Sequence, residues 1–200
     1  MSGVYELIKD RLGMGTENLE VLQEKAQRIS ILSGFIARKI SDKRPFNMSE
    51  SEIEDVALIV RTVHPENESM YQGKEPFNFE KNKIRGQYSL KVAEERGIEL
   101  TDVQKAVVRG GSDLIEERII KLAETTIALQ YSRVQRGVQK KPIGSAEELM
   151  TELLSDPRID AELISDLIGE QEFVNLVSAE KRSMIQKGKA KKDKEDSFEI

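Results

Sequence analysis

The side chains that could do chemistry are few, and the first candidate is the single histidine, His64. It lies directly before Pro65, at the predicted end of a helix, and two glutamates follow within four residues. A histidine near carboxylates suggests a metal ligand, but a metal site needs three or four donors at fixed spacing, and the chain has no cysteine. The end of a helix favours histidine through the helix dipole alone. We therefore predict neither a metal site nor a catalytic group here.

The motifs that bind nucleotides or activate a serine are absent. The chain contains no G-x-x-x-x-G-K-[ST] loop, no G-x-G-x-x-G turn and no G-x-S-x-G elbow. Three acidic pairs remain as candidates for acid–base chemistry, but each falls in a predicted first helical turn, where negative charge complements the helix dipole. These pairs are Glu52 with Asp55, Glu116 with Glu117, and Glu147 with Glu148. The sequence therefore predicts no enzyme, no catalytic residue and no cofactor.

The segment Gly110-Gly111-Ser112 admits several interpretations. Backbone N–H groups at a helix start can hold an anion, whereas a turn between two helices, or a kink in one long helix, explains the glycines without any ligand. A helix-turn-helix over residues 98–120 is another interpretation, with the glycines in its turn. It is disfavoured because the helix after Ser112 begins Asp-Leu-Ile-Glu-Glu, which would repel phosphates.

Phosphate binding is the chemistry that the sequence supports best. Between Tyr131 and Lys141 there are four cations and no acidic residue, and such side chains are sufficient to neutralise phosphates. The alternative is that these cations complement the dipole of a helix that ends here. The nucleic-acid-binding candidates are Arg133, Arg136, Lys140 and Lys141, together with Lys189, Lys191 and Lys192 of a second basic cluster near the C-terminus.

Aromatic side chains in polar surroundings are the candidates for contact with a protein partner. Three of them belong to the connection at residues 66–83, whose 18 residues are many for a compact domain. Such a connection is either mobile or functional. The partner-binding candidates are Tyr71, Phe77 and Phe79 of this connection, Phe173 of the C-terminal region, and Phe198 of the tail.

Helices must position these residues, because apolar residues recur at helical spacing along most of the chain. A short first helix is predicted at residues 4–12. A long second helix begins at Thr16, and its apolar positions form a narrow stripe, interrupted by Ser33 and Gly34, of the kind that packs against another helix. The stripe consists of Leu19, Leu22, Ala26, Ile29, Ile36 and Ile40.

Capping boxes mark three further helix starts, since a Ser or Thr placed three residues before Glu or Gln satisfies free backbone amides. They are Ser49 with Glu52, Thr101 with Gln104, and Ser145 with Glu148. Ser112 is predicted to cap a helix that runs to about Val134, and Asp156 with Pro157 to start a later one. No sustained alternation of β-branched residues occurs, so few or no strands are expected.

Charge and helix-breaking residues divide the chain into four regions. Residues 1–141 carry 23 basic and 22 acidic side chains, residues 142–180 carry one and ten, and residues 181–200 carry seven and four. Pro142 and Gly144 interrupt the helical pattern where this balance changes. We predict a helical body at 1–139, a linker at 140–144, a small acidic helical module at 145–186 and a disordered charged tail at 187–200. So small a module is marginal alone, and we expect a basic partner to stabilise it.

The composition is typical of a soluble, cytoplasmic all-α protein, here with a long helical hairpin in its body. Cysteine for disulfides is absent, the N-terminus lacks the apolar core of a signal peptide, and no apolar run approaches a membrane span. We predict a non-catalytic assembly or adaptor protein that binds a protein partner or a second copy of itself, within a nucleic-acid-handling complex. The alternative is an accessory protein that binds DNA or RNA directly through the basic stretches. Neither a membrane nor a small-molecule substrate is expected.

Overall fold

The structure, a computed structural model, describes residues 16–61, 79–131, 133–135, 138–140, 142–143 and 145–167. The described chain is mostly helical, which confirms the predicted all-α class. Its seven helices are α1 (Thr16–Ile40), α2 (Glu50–Arg61), α3 (Phe79–Glu95), α4 (Asp102–Arg109), α5 (Ile115–Leu129), α6 (Ala146–Ser155) and α7 (Ala161–Asp166). One short hairpin, β1 (Arg133–Gln135) with β2 (Val138–Lys140), separates α5 from α6. The predicted helix at 4–12 lies outside the described residues.

The apolar stripe of α1 is buried as the spacing predicts. Ala26, Ile29, Ile36 and Ile40 are all at most 4% exposed, while Leu19 and Leu22 lie outside the residues whose side chains are described. The two residues that interrupt the stripe are buried as well. The Ser33 hydroxyl donates to the backbone oxygen of Ile29, 2.8 Å away, and Gly34 leaves room for the side chain of Glu54 on α2.

Helix α2 packs antiparallel to α1 after a turn at residues 41–49. Arg38 forms an ion pair with Glu50, and the Ser30 hydroxyl donates to the backbone oxygen of Glu54 at 3.0 Å. The predicted capping box at the start of α2 is present, because the Ser49 amide donates to the Glu52 carboxylate at 2.7 Å. Hydrogen bonds from the hydroxyl and the amide of Ser49 lower the pKa of that carboxyl, so it stays ionised.

Helices α3 and α4 approach each other at Gly86. A Cβ atom at this position would lie 2.6 Å from the backbone oxygen of Val108 and 2.7 Å from the backbone carbon of Arg109. Backbone atoms cannot rotate away as a side chain can, so any side chain at this position would push the helices apart. The capping box at the start of α4 is also present: the Thr101 amide donates to Gln104 at 2.9 Å, and the Gln104 amide donates to Thr101 at 3.3 Å.

Two predicted helix starts are wrong. The residue that caps α5 is Leu114 rather than Ser112, and it offers no side-chain hydrogen bond to the helix. Helix α7 starts after Asp160, whose carboxylate accepts the amides of Glu162 and Leu163 at 2.9 and 3.2 Å. Asp156, the predicted start, instead caps the end of α6. In the first case the amide and hydroxyl of Ser112 bond to Glu117. In the second, Asp160 makes the same kind of local cap four residues after Asp156.

The end of α5 also differs from the prediction. The helix stops at Leu129 rather than near Val134, and the chain then forms the hairpin. Val134 therefore lies in a strand, paired with Gln139. The Ser145 part of the third capping box is present at the start of α6, where the Glu148 amide donates to the Ser145 hydroxyl at 3.1 Å.

One hydrophobic cluster joins α1, α2, α4 and α5 to the C-terminal helices. Leu153, Leu163 and Leu167 are each at most 1% exposed within it. Polar contacts cover its edge: Arg118 of α5 donates to Asp160 at 2.9 Å, and the Lys43 ammonium donates to the backbone oxygen of Asp166 at 2.6 Å. These contacts favour a shared core, while the predicted boundary at 140–144 stays a prediction. Among the helices of the described residues, none combines the length and apolar character of a membrane span.

Candidate functional site

The basic stretch after α5 includes a two-stranded antiparallel hairpin. Its register pairs Arg133 with Lys140, Val134 with Gln139, and Gln135 with Val138. Two residues, Arg136 and Gly137, connect the strands in the sequence. A two-residue connection that contains glycine is a hairpin signal. The sequence analysis missed it, and each strand, with only three residues, is too short to show the alternation by which a strand is predicted.

The structure places two of the predicted phosphate-binding residues in one register pair. The Cα atoms of Arg133 and Lys140 are partners across the two strands, seven positions apart in sequence. Arg136 and Lys141 lie outside the described residues, although they adjoin the strands in sequence. The second basic cluster lies outside the described residues too; its members are Lys189, Lys191 and Lys192.

The first strand is preceded by a polar cluster that joins the end of α5 to the middle of α1. Arg28, only 7% exposed, donates from Nη1 to the Tyr131 hydroxyl at 3.1 Å and from Nη2 to Gln130 Oε1 at 2.6 Å. Gln130 and Tyr131 directly follow the last residue of α5. We call the cluster of Glu24, Lys25, Arg28, Gln130 and Tyr131 the hairpin root.

Tyr131 is the centre of the hairpin root. Its hydroxyl donates to Glu24 Oε1 at 2.6 Å, and the Lys25 ammonium lies 4.4 Å from the centre of its ring, within the range of a cation–π contact. Burial first, and the hydrogen bond to Glu24 second, raise the pKa of the Tyr131 phenol, against the opposing effect of Arg28. The phenol therefore remains protonated and continues to donate to Glu24 near neutral pH.

The chain that leaves the hairpin returns to the same place. The Ile143 amide donates to the backbone oxygen of Leu129 at 2.9 Å, and the Ile143 side chain is 8% exposed within the hydrophobic cluster. Both ends of the hairpin are thus attached to the end of α5. The predicted linker includes the last residue of β2 and this buried isoleucine.

The glycine segment before α5 holds an anion, but the anion belongs to the chain. The Glu117 carboxylate accepts the amide of Gly111 at 2.8 Å and the amide of Ser112 at 2.7 Å. Gly110 and Gly111 have φ angles of 77° and 80°, a backbone conformation that glycine adopts without strain. An external phosphate would have to displace Glu117, so the segment is a turn closed by its own carboxylate.

The neighbouring carboxylate, Glu116, lies in the first turn of α5 and is fully buried. Its Oε1 accepts the amide of Asn47 at 2.5 Å, whereas no protein group within the described ranges bonds to its Oε2. Glu116 thus lies where negative charge complements the dipole of α5, as the sequence predicts for this acidic pair. In the part of the chain that the structure describes, no three His, Cys, Asp or Glu side chains form a group that could hold a metal ion.

The predicted partner-binding aromatics are mostly beyond the described residues. Phe79 begins α3, where the structure describes the backbone alone. Tyr71, Phe77, Phe173, Phe198 and the histidine His64 lie outside the described residues. Leu154 of α6 is not among these predicted partner-binding residues. Its apolar spacing with Leu149 and Leu153 predicts a buried core position, and that prediction is wrong, because Leu154 is 58% exposed.

Comparisons of this chain with protein-family models, with curated proteins and with solved structures give no match. The functional assignment therefore depends on the charge and the geometry of the hairpin and its root.

Proposed function

We propose that this protein is a non-catalytic nucleic-acid-binding accessory protein, and that its basic hairpin contacts the phosphate backbone. The observation that carries the proposal is the register of the two strands, which pairs Arg133 with Lys140. A two-stranded ribbon fits the major groove of duplex DNA, and ribbons of this kind are one of the established ways in which proteins bind it.

The local charge supports this proposal although the whole chain has a net charge of −5. From Thr125 to Ala146 the sequence contains four cations and no acidic residue. Such a stretch attracts phosphates by releasing the counterions condensed on them, and this contribution needs no sequence-specific contact. The hairpin is therefore the basic region that is best suited to phosphate contact among the described residues.

The competing explanation of these cations loses its support. Cations at the end of a helix complement its dipole, but the effect is confined to the last turn. Helix α5 has no basic residue in its last turn, and Arg133 lies four residues beyond Leu129. The dipole of α5 therefore does not account for the basic stretch, which supports the proposal of phosphate contact.

A salt titration of binding tests the proposal. We expect the protein to bind a labelled DNA duplex at low salt, with an affinity that falls steeply as salt is added. Replacing both arginines and both lysines of the basic stretch by glutamine should lower the slope of log affinity against log salt by about 0.9 per charge for a duplex, or about 0.7 per charge for a single strand. Fluorescence anisotropy measures both the affinity and its dependence on salt. The variant is Arg133→Gln, Arg136→Gln, Lys140→Gln and Lys141→Gln.

A matched variant separates hairpin contact from net charge. It also removes two arginines and two lysines, all exposed residues of α3, α4 and the turn between them, so its total charge is the same. We expect this control variant to keep most of the slope of log affinity against log salt that the unchanged protein shows. Equal losses in the two variants, or no binding by the unchanged protein at low salt, would contradict the proposal. The control is Lys91→Gln, Arg96→Gln, Lys105→Gln and Arg109→Gln.

Assembly through a protein contact is the second candidate function. Leu154, 58% exposed, lies on the same face of α6 as the exposed Glu147, about two helical turns away, while the exposed Glu148 and Glu152 lie on other faces. A helix that exposes both an apolar side chain and carboxylates suits a partner segment that is both basic and apolar. Size-exclusion chromatography with light scattering, with and without nucleic acid, separates the candidates, because self-association raises the mass above 22.7 kDa without nucleic acid.

A further inference from the structure

The hairpin is too small to hold its own shape. Each strand has three residues, and an isolated two-stranded hairpin is at best marginally stable in water. Its position must therefore come from the residues at its two ends. At the returning end, the Ile143 amide bonds to Leu129; at the starting end, the described contacts are those of the hairpin root.

Arg28 is the residue that links this starting end to the long helix α1. It donates to two successive residues, Gln130 and Tyr131, which occupy the step between α5 and the first strand. A buried guanidinium is stable only if its donors are satisfied, so these bonds hold Arg28 and the root in one arrangement. At 7% exposure, the guanidinium itself has almost no surface to offer to a phosphate.

Tyr131 completes the link. Its hydroxyl accepts a hydrogen bond from Arg28 Nη1 at 3.1 Å and donates one to Glu24 Oε1 at 2.6 Å. These two partners lie one helical turn apart on α1, so a single tyrosine ties the start of the hairpin to a rigid segment. Loss of the hydroxyl would leave the buried charge of Arg28 without one of its acceptors.

We infer that Arg28 and Tyr131 are positioning residues: they fix the direction of the basic hairpin, so that its cations meet several phosphates at once without either root residue contacting them. The inference rests on the proposed function for its binding consequence. Its structural consequence, an ordered hairpin, is measured without nucleic acid, so the two can fail separately.

The test uses Tyr131→Phe, which removes one hydroxyl and changes no charge. Hydrogen exchange should become faster at the amides of the two strands and stay slow at Ile119 and Leu122 in α5, because the hairpin loosens while the core does not. Duplex affinity should fall about tenfold. The salt slope should fall too, although no cation has been removed, because a loose hairpin contacts fewer phosphates simultaneously.

Ser30→Ala is the matched control, since it removes one hydroxyl of α1 that bonds to α2 at the backbone oxygen of Glu54, 3.0 Å away. We expect it to lower the thermal midpoint without a change in strand exchange or salt slope. Arg28→Lys is a second variant that keeps the charge but cannot form both bonds with one planar group. Arg28→Lys should reproduce the effects of Tyr131→Phe on strand exchange, duplex affinity and salt slope. The inference therefore stays testable if Tyr131→Phe lowers the overall stability.

Unchanged strand exchange in both Tyr131→Phe and Arg28→Lys would overturn the inference. Faster strand exchange with an unchanged salt slope would overturn its binding part, because the hairpin would then be ordered by its root without presenting cations to phosphates. If the unchanged protein fails to bind nucleic acid, the proposed function fails while the exchange data still decide whether the root orders the hairpin.

Discussion

Ile29→Asp is expected to unfold the protein at room temperature. Ile29 is 3% exposed in the centre of the α1 stripe and belongs to the hydrophobic cluster, where a carboxylate would lose its water. Burying an unpaired charge costs several kcal/mol or more, which is comparable to the whole stability of a domain, about 5–15 kcal/mol. We expect circular dichroism to record a loss of helix, or an unfolding transition far below that of the unchanged protein.

Gln27→Asp is the control for this substitution. Gln27 lies two residues earlier on α1 and is partly exposed, and residues two apart do not share a helix face. The introduced carboxylate keeps contact with water there, so only a small loss from helix propensity is expected. If Ile29→Asp were as stable as Gln27→Asp, the α1 stripe would not be the core of the protein.

Leu163→Asp is expected to destabilise the body as well as the C-terminal helices. Leu163 is fully buried in the cluster that also contains Ile53 of α2 and Ile119 of α5. A carboxylate at this position would meet the same desolvation cost as in α1. Hydrogen exchange at the α1 amides is the measurement, because it reports on the body rather than on α7 itself.

Ala161→Asp is its control, since Ala161 is exposed and is the first residue of α7. A negative charge at the start of a helix complements the dipole, so its stability should change little. If Leu163→Asp speeds exchange in α7 and leaves α1 protected, then the module predicted at 145–186 folds separately. Faster exchange in both would mean that the two regions share one core.

The features that the sequence predicted correctly are local. The capping boxes at Ser49 and Thr101 need only residues three apart, and the α1 stripe needs only the period of one helix. Ser112 was misassigned because another local contact competes with capping. It has the right residue type for a cap, but Glu117 binds its amide and its hydroxyl, so the helix begins later.

The candidate site was predictable in part. The run of cations around Arg133 is visible in the sequence, whereas the strand pairing has only a short glycine-containing connection as its signal. The hairpin root has no local signal, because Arg28 and its acceptors are 102 and 103 residues apart. Contacts of that separation depend on how whole helices pack, and nothing in the spacing of neighbouring residues encodes them.

The contact at Gly86 restricts how this sequence can diverge. Since the obstructing atoms belong to the backbone of α4, no compensating change of a neighbouring side chain makes room for a larger residue. A homologue that keeps the packing of α3 on α4 is therefore expected to keep glycine at this position, even where the surrounding surface residues all differ. A homologue with alanine or a larger residue there would have to shift the axis of one helix away from the other.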